Sequence, residues 1–130
     1  MRKALWYAID RDEMTSTVLK NLAIPARSLL APGFPGYNED ITKYAVFDPE
    51  KAKAHLAKAG YPNGEGFPEI EIWYRTQGGY NGAITAPMLQ YLQAEFKEHL
   101  NIDMGIKTMP ISEWYDALTN NKHNLFLSPY

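Results

Sequence analysis

Three segments decide the fold of this chain: EIEIWYR at residues 69–75, IDMGIKT at 102–108 and LFL at 125–127. In the first, Ile70, Ile72 and Tyr74 share one face, while Glu69, Glu71 and Trp73 share the other. Alternation with a period of two is typical of a β-strand that is buried on one side. We therefore predict three strands, with the third starting near Leu125.

Helical patterns fill the gaps between these strands. From about residue 84 to 99, the apolar residues Ile84, Met88, Leu92 and Phe96 recur every four positions. ISEWYDALTNN at 111–121 forms the next helix, with Ser112 as a candidate N-cap. Strands that alternate with helices are joined by crossover connections, so the chain is predicted to be an α/β protein with a sheet of few strands flanked by helices.

Upstream of the first strand, residues 48–60 (DPEKAKAHLAKAG) carry start and stop signals for a helix. Asp48 supplies an N-cap, Pro49 fits the first helical position, and Gly60 is suited to the left-handed residue after the last turn. Ala52 and Leu56 lie on one narrow face of this helix. We expect that face to pack closely against the rest of the molecule.

Two further helices are predicted at the start of the chain, meeting at Asp10. Asp10 is placed to cap the second, with Glu13 completing a capping box, and Asn21 can end it in a left-handed conformation. Residues 22–47 contain several prolines and glycines and are predicted to be a long connection over the surface. Its anchors would be four apolar residues: Leu29, Leu30, Phe34 and Tyr37.

Length and composition indicate one soluble globular domain spanning 1–130. The net charge of -2 provides no field that would collect nucleic acid, and the absence of cysteine excludes thiol chemistry and disulfides. The opening MRKALWYAIDRDEM is interrupted by Asp10 before a signal-peptide core is complete, so an export signal would lie upstream. No run reaches the ~20 apolar residues that a membrane span requires.

The sequence offers no pattern that indicates catalysis, a cofactor or a metal. His55, His99 and His123 fall on different predicted elements without a partner at metal-ligand spacing, and the first two are expected on solvated helix faces. The glycines near residue 80 lack the lysine of a phosphate-binding loop. We therefore predict that the protein is not an enzyme.

Aromatic residues gather at the predicted strand ends: Trp73, Tyr74, Tyr80, Trp114, Tyr115 and Tyr130. Ligands of open α/β sheets bind beyond the carboxyl ends of the strands. Aromatic rings at that edge would offer large, rigid contact area to a ligand. Each ring taken alone can equally well be an ordinary core residue.

The order of these motifs resembles the family 5 extracellular solute-binding proteins, the oligopeptide and dipeptide binders of ABC importers. The carriers of the resemblance are the helix running into AIDR at 8–11, the helix from Asp48 that ends in AGY at 59–61, GIK at 105–107 and SEW at 112–114. The resemblance implies a lobe of the type II periplasmic-binding-protein fold with a mixed sheet. Such a lobe is part of a longer, two-lobed protein that closes on its ligand.

The resemblance also implies site residues and partners. Trp114 would lie on the ligand side of the lobe, Tyr130 would line the cleft after the last strand, and Tyr80 would contact the ligand from the loop after the first strand. The partners would be a peptide or other small solute, the remaining lobe and the permease subunits of the importer. The location would be periplasmic or extracellular, with or without a lipid anchor on the full-length protein.

Two alternatives from other classes remain open on the sequence alone. The chain can be a stand-alone interaction module that presents its aromatic edge to a protein partner. It can also be an enzyme of unrecognised type. A longer reading frame with an upstream signal, beside permease and ATPase genes, would favour the solute-binding hypothesis.

Overall fold

A computed structural model describes residues 1–76, 82–120, 122 and 125–126. The α-helices are α1 (Arg2–Tyr7), α2 (Arg11–Glu13), α3 (Pro49–Lys58), α4 (Gly82–Leu100) and α5 (Ile111–Thr119), and the strands are β1 (Ile70–Arg75), β2 (Met104–Met109) and β3 (Leu125–Phe126). A π-helical turn, Met14–Val18, extends α2, and 3-10 turns cover Glu39–Tyr44 and Pro62–Gly64. The predicted α/β organisation is confirmed.

The three strands form one sheet in the order β2-β1-β3, with both neighbours parallel to β1. β2 pairs along the whole of β1, from Ile70 opposite Met104 to Arg75 opposite Met109. β3 joins the other edge, where Ile72 lies opposite Leu125. A mixed sheet was expected, but the strands that the structure describes are all parallel, because each pair is connected through a crossover rather than a hairpin.

The two faces of the sheet support two separate clusters. Ile70 and Ile72 pack into the larger cluster, together with residues from α1 and its C-cap, α3 and α4: Ala4, Ala8, Ala52, Leu56, Leu89, Phe96 and Leu100. Trp73, which points to the opposite face, packs against a smaller cluster of Met109, Trp114 and Ala117. The sheet is therefore covered by α4 on one side and by α5 on the other.

The predicted helix at 48–60 is confirmed almost residue for residue. The Asp48 carboxylate accepts a hydrogen bond from the Lys51 backbone N–H (2.9 Å), and Gly60 has a φ of 95° after the helix. Ala52 and Leu56 are buried, as their shared face predicted. A backbone hydrogen bond joins the start of this helix to α1, since the Asp48 N–H donates to the Tyr7 carbonyl oxygen (2.9 Å).

The capping prediction for α2 is half right. Asp10 Oδ1 accepts from the backbone N–H groups of Asp12 and Glu13, which confirms the N-cap. The reciprocal bond of a capping box, however, comes from α4 and not from Glu13: Glu95 Oε2 accepts the Asp10 N–H at 2.8 Å. Glu13 instead accepts from the Tyr91 hydroxyl (3.1 Å), so side chains of α4 hold this helix start in place.

Three other local predictions need correction. Ser112 does not cap α5, because the helix already begins at Ile111 with Pro110 in the capping position. In α4, Ile84, Met88 and Leu92 are only half buried, while Leu89 and Leu100 lie fully inside. Of the four anchors predicted for the connection at 22–47, Leu29, Leu30 and Phe34 are exposed, and only Tyr37 is partly buried.

Candidate functional site

The carboxyl ends of β1 and β2 meet at one edge of the sheet, which we call the carboxyl edge and define by Arg75, Thr76, Met109, Trp114 and Tyr115. Thr76 continues the pairing past β1, since its N–H donates to the Met109 carbonyl oxygen at 3.0 Å. Pro110 then leads into α5, whose first turn places Trp114 beside Arg75 and Met109, and Tyr115 follows directly with its ring against that of Trp114. The parallel register therefore brings all five residues together.

Trp114 is in the element and at the edge where the sequence predicted it, but its ring is buried to 4% exposure. It packs with Met109 and Ala117 on the α5 side of the sheet. Tyr115 lies edge-on against it, with ring centroids 5.2 Å apart, and is 52% exposed. Trp114 thus forms the floor of this edge, and Tyr115 presents the accessible aromatic surface.

Arg75 contributes a positive charge at the same place. Its guanidinium carbon lies 5.6 Å from the centroid of the Trp114 ring, which is within cation-π range. The side chain is partly buried, and its Nε atom is buried without a hydrogen-bond partner. The sequence did not indicate this residue, because its contact with the Trp114 ring depends on the packing of α5 beside β1.

An open depression of about 410 Å³ adjoins the carboxyl edge between β2 and α5. Trp73 forms part of its wall, with the Lys107 ammonium 4.1 Å from its ring centroid and the indole N–H donating to Glu71 (3.0 Å). Asp116 lies on the opposite wall, where a hydrogen bond from Lys122 holds the pKa of its carboxyl below the usual value. The depression combines aromatic surface with charges of both signs.

A larger depression, about 560 Å³, lies away from the sheet edge on α1. Lys3, Trp6, Tyr7 and Tyr44 line it, so it offers mostly apolar surface with a single charged group. Because ligand sites of open α/β sheets form beyond strand ends and combine apolar surface with converging polar groups, we take the carboxyl edge as the candidate site.

His55 and His99 are the two histidines that the structure describes, and each one contacts an aromatic ring. His55 stacks on Tyr7 (5.6 Å between centroids). His99 was expected on a solvated face, but it packs edge-on against Phe47 and lies 3.6 Å from Glu95. His123 lies outside the described residues. Within the described ranges, no three histidine or acidic side chains come together in a way that could hold a metal ion.

Two of the three predicted site residues, Tyr80 and Tyr130, lie outside the residues that the structure describes. They follow the ends of β1 and β3 in the sequence, and their contact with a ligand stays a prediction. In the part of the chain described, no helix has the length and apolar character needed to cross a bilayer.

Comparison with known proteins gives a consistent picture. A family model described as "Bacterial extracellular solute-binding proteins, family 5 Middle" matches residues 1–130. Heme-binding protein A of Haemophilus influenzae is 33% identical over 117 residues, which are 89% of this chain and 20% of that protein. The dipeptide-binding protein of Escherichia coli is 31% identical over 124 residues, 95% of this chain and 22% of that protein.

Solved structures agree with this assignment. A periplasmic oligopeptide-binding protein from Borrelia burgdorferi superposes with a TM-score of 0.77 at 30% identity, covering 96% of this chain and 24% of that one. The oligopeptide-binding protein OppA of Burkholderia pseudomallei shares the fold with the same TM-score at 19% identity. The chain spans about a fifth to a quarter of the length of the proteins it matches.

Proposed function

Because the chain belongs to the family 5 bacterial extracellular solute-binding proteins, we propose that it is part of one lobe of a substrate-binding component that captures peptides or similar small solutes for an ABC importer. Membership of this family favours solute binding over catalysis. The capture step would then be an enclosure of the ligand between two lobes.

The observation that carries this proposal is the carboxyl edge itself. Parallel strands end there beside a buried aromatic floor, an accessible tyrosine and an arginine. A surface of this kind can bind an extended ligand through ring contacts and hydrogen bonds without selecting one side chain. We propose that Trp114, Tyr80 and Tyr130 take part in ligand binding, with the buried Trp114 ring supporting the accessible ring of Tyr115.

The proposal assigns the rest of the ligand contacts to sequence outside this chain. The matched relatives are four to five times longer, which leaves room for a second lobe. The permease subunits of an importer are the further partners that a solute-binding protein requires. The location proposed for the full-length polypeptide is outside the cytoplasmic membrane, as the family description indicates.

Peptides are the ligand class best supported by the relatives. The Escherichia coli relative is named a dipeptide-binding protein, and a Bacillus subtilis relative, 27% identical over 130 residues, is named an oligopeptide-binding protein. Another matched relative, heme-binding protein A, is named for a ligand that is not a peptide. Within the family, the fold alone therefore does not select the ligand.

The test is a binding selection with the full-length polypeptide that contains this chain. The protein is incubated with a library of di- to pentapeptides, and the peptides that remain bound are identified by mass spectrometry. We expect enrichment of peptides over the input library, and a Tyr115→Ala variant should bind the enriched peptides about tenfold more weakly, because it removes one aromatic contact.

A matched control is Tyr44→Ala. Tyr44 is 59% exposed, close to the 52% of Tyr115, but it lies at the depression on α1. It should leave peptide affinity unchanged. If no peptide is retained, the ligand class is wrong, and if Tyr44→Ala weakens binding while Tyr115→Ala does not, the site lies on the other side of the lobe.

A further inference from the structure

The depression on α1 is lined by three aromatic side chains and one lysine: Lys3, Trp6, Tyr7 and Tyr44. Lys3 is three positions from Trp6 and four from Tyr7, so these side chains share one face of the helix. Tyr44 joins them from the 3-10 turn Glu39–Tyr44. With a volume of about 560 Å³ and mostly apolar walls, the depression has the size and lining of a small-molecule site.

Contacts within the chain hold these rings in position. The Trp6 indole N–H donates to the Tyr44 carbonyl oxygen at 3.0 Å, which joins α1 to the 3-10 turn. The Tyr7 ring stacks on His55, with 5.6 Å between the ring centroids. Because the rings are already ordered, a ligand that packs against them costs the protein little side-chain entropy.

Lys3 gives the depression a positive charge that no described side chain balances. Its side chain is exposed, and none of the ion pairs within the described ranges includes it. By contrast, Lys51, which lies beside the Tyr7 ring, pairs with Asp48 at 2.8 Å. The Lys3 ammonium is therefore available to an anion from outside the chain.

A second positive charge already lies against the aromatic wall. The Arg11 guanidinium carbon is 4.2 Å from the centroid of the Trp6 ring, and its nitrogens donate to the backbone carbonyl oxygens of Trp6 and Ile9. Aromatic rings attract cations, but this one already has its cation, and Lys3 repels another. The charges and the rings together fit a ligand that is negative and has an apolar ring.

We propose that the depression on α1 is a second binding site, for a small molecule that combines an aromatic ring with a carboxylate. The ring of the ligand packs against Trp6, Tyr7 and Tyr44, and its carboxylate accepts a hydrogen bond from the exposed Lys3 ammonium. A free peptide fits less well, because its own ammonium group adds positive charge beside Lys3 and Arg11. The site is separate from the carboxyl edge, so the inference does not depend on the proposed function.

The test uses three probes of similar shape and different charge: naphthoate, naphthamide and naphthylmethylammonium. Their affinities for the full-length polypeptide are measured by ligand-observed NMR titration. The acid should bind about threefold to fivefold more tightly than the neutral amide, the scale of an exposed ion pair, and the ammonium compound should bind most weakly. Lys3→Gln should make the acid and the amide bind equally. The matched control Lys58→Gln removes another exposed lysine, outside the depression, and should keep the preference for the acid.

Substitutions of the rings separate this site from the carboxyl edge. Tyr44→Ala should weaken binding of the acid and the amide about tenfold, whereas Tyr115→Ala should leave both affinities unchanged. The inference is wrong if the wild-type protein binds none of the probes or binds acid and amide equally, or if Lys3→Gln keeps the preference. It is also wrong if Tyr44→Ala, shown to be folded by circular dichroism, binds the probes as tightly as wild type. Loss of peptide binding with naphthoate binding intact would contradict the proposed function alone.

Discussion

At the scale of single residues, Gly64 illustrates how one position joins two parts of the chain. It lies in the turn after α3 with a φ of 78°, and a Cβ atom placed on it would be 2.6 Å from the Leu100 carbonyl oxygen. The side chain of Asn101 donates to the Asn63 carbonyl oxygen beside it. The turn after α3 is therefore packed directly on the end of α4, and only glycine leaves enough space.

Gly64→Ala should destabilise the chain strongly. A left-handed alanine costs roughly 1–2 kcal/mol, and the overlap with backbone oxygens adds roughly 1–3 kcal/mol because neither carbonyl belongs to a flexible side chain. The measurement is the free energy of unfolding from urea denaturation. Gly60→Ala is the matched control: its φ is 95° but nothing lies within 4 Å of the added Cβ, so it should show the backbone cost alone. An equal decrease in the free energy of unfolding in both variants would show that the contact with the Leu100 carbonyl oxygen is not the cause.

The role of a single residue could be predicted from the sequence where it depends on residues nearby in the chain. The caps at Asp10 and Asp48 were predicted because a cap bonds N–H groups only two or three positions away. Arg75 was missed because its importance depends on Trp114, far away in sequence and close only after β1 and β2 pair. Ser112 failed as a cap because Pro110 starts the helix earlier.

At the scale of elements, α4 organises the amino-terminal half through buried polar groups. Glu95 accepts the Asp10 N–H, and the Tyr91 hydroxyl lies within hydrogen-bonding distance of two acceptors, the Asp10 carbonyl oxygen (3.2 Å) and a Glu13 carboxylate oxygen (3.1 Å). Burial raises the pKa of the Glu95 carboxyl above its ordinary value of 4.5, although the Asp10 N–H and nearby His99 oppose the shift. Burial also raises the pKa of the Tyr91 hydroxyl, helped by the neighbouring Glu95.

The raised pKa of Glu95 predicts a pH dependence of stability. Above about pH 4.5 the folded protein retains a proton that the unfolded chain releases, so the Glu95 contribution to the free energy of unfolding falls as the pH rises. Glu95→Gln keeps an oxygen for the Asp10 N–H but cannot ionise. Its stability relative to wild type should therefore increase between about pH 4 and about pH 7, by about 1.4 kcal/mol for each unit of pKa difference.

The measurement is urea denaturation of both proteins across this pH range. The matched variant is Glu98→Gln, the same change on the exposed side of the same helix, which separates burial from overall charge. If the free energies of unfolding of wild type and Glu95→Gln differ by the same amount at every pH, the pKa of Glu95 is not raised in the folded protein.

Most helices and strands were predictable because their apolar patterns are strong. The residues on the buried face of each helix were harder to predict. The four-residue step in α4 named Phe96 correctly, but Leu89 and Leu100 are the residues fully buried against the sheet. The helix contacts α3, the π-helical turn Met14–Val18 and β2, and a single straight stripe of apolar residues cannot face three neighbours. Thr85 and Glu95, also buried, are polar and carried no apolar signal.

At the scale of the whole molecule, the connection at 22–47 stands apart from the two clusters. Several of its apolar side chains face solvent, among them Ile24 at 91% and Leu29 at 85% exposure. Its prediction as a long surface connection holds, since regular structure within it is confined to the 3-10 turn Glu39–Tyr44. Arg27, paired with Asp12, joins it to the amino-terminal helices, and so does the Tyr44 carbonyl oxygen, which accepts the Trp6 indole N–H at 3.0 Å.

Limited proteolysis of the 130-residue chain should begin in this connection. Thermolysin cuts before large apolar residues, and Leu22 and Leu29 offer exposed sites in backbone outside helices and strands. Mass spectrometry of early fragments should show these cuts first. Sites before Leu89 and Leu100, which are fully buried, should remain intact until global unfolding. First cuts within β1 or α4 would contradict the assignment of the stable core.

The sequence predicted the class of fold because alternating strands and helices with caps leave few arrangements of a small sheet. It could not predict the site in the same detail. Trp114 proved to be a buried floor with Tyr115 as the accessible ring, and burial of one ring beneath another depends on how α5 packs over Trp73 and Met109. The predicted ligand contacts at Tyr80 and Tyr130 remain to be measured.

The strand order also governs how the chain folds over time. β1 is synthesised before both of its neighbours, and a helix lies between β1 and β2 and another between β2 and β3 in the chain. Closing these long loops precedes any gain from strand pairing, which makes such topologies slow to fold. In that interval the hydrogen-bonding edges of β1 are open to another copy of the same strand. The growing polypeptide is therefore most prone to aggregation after β1 has emerged and before β2 has arrived.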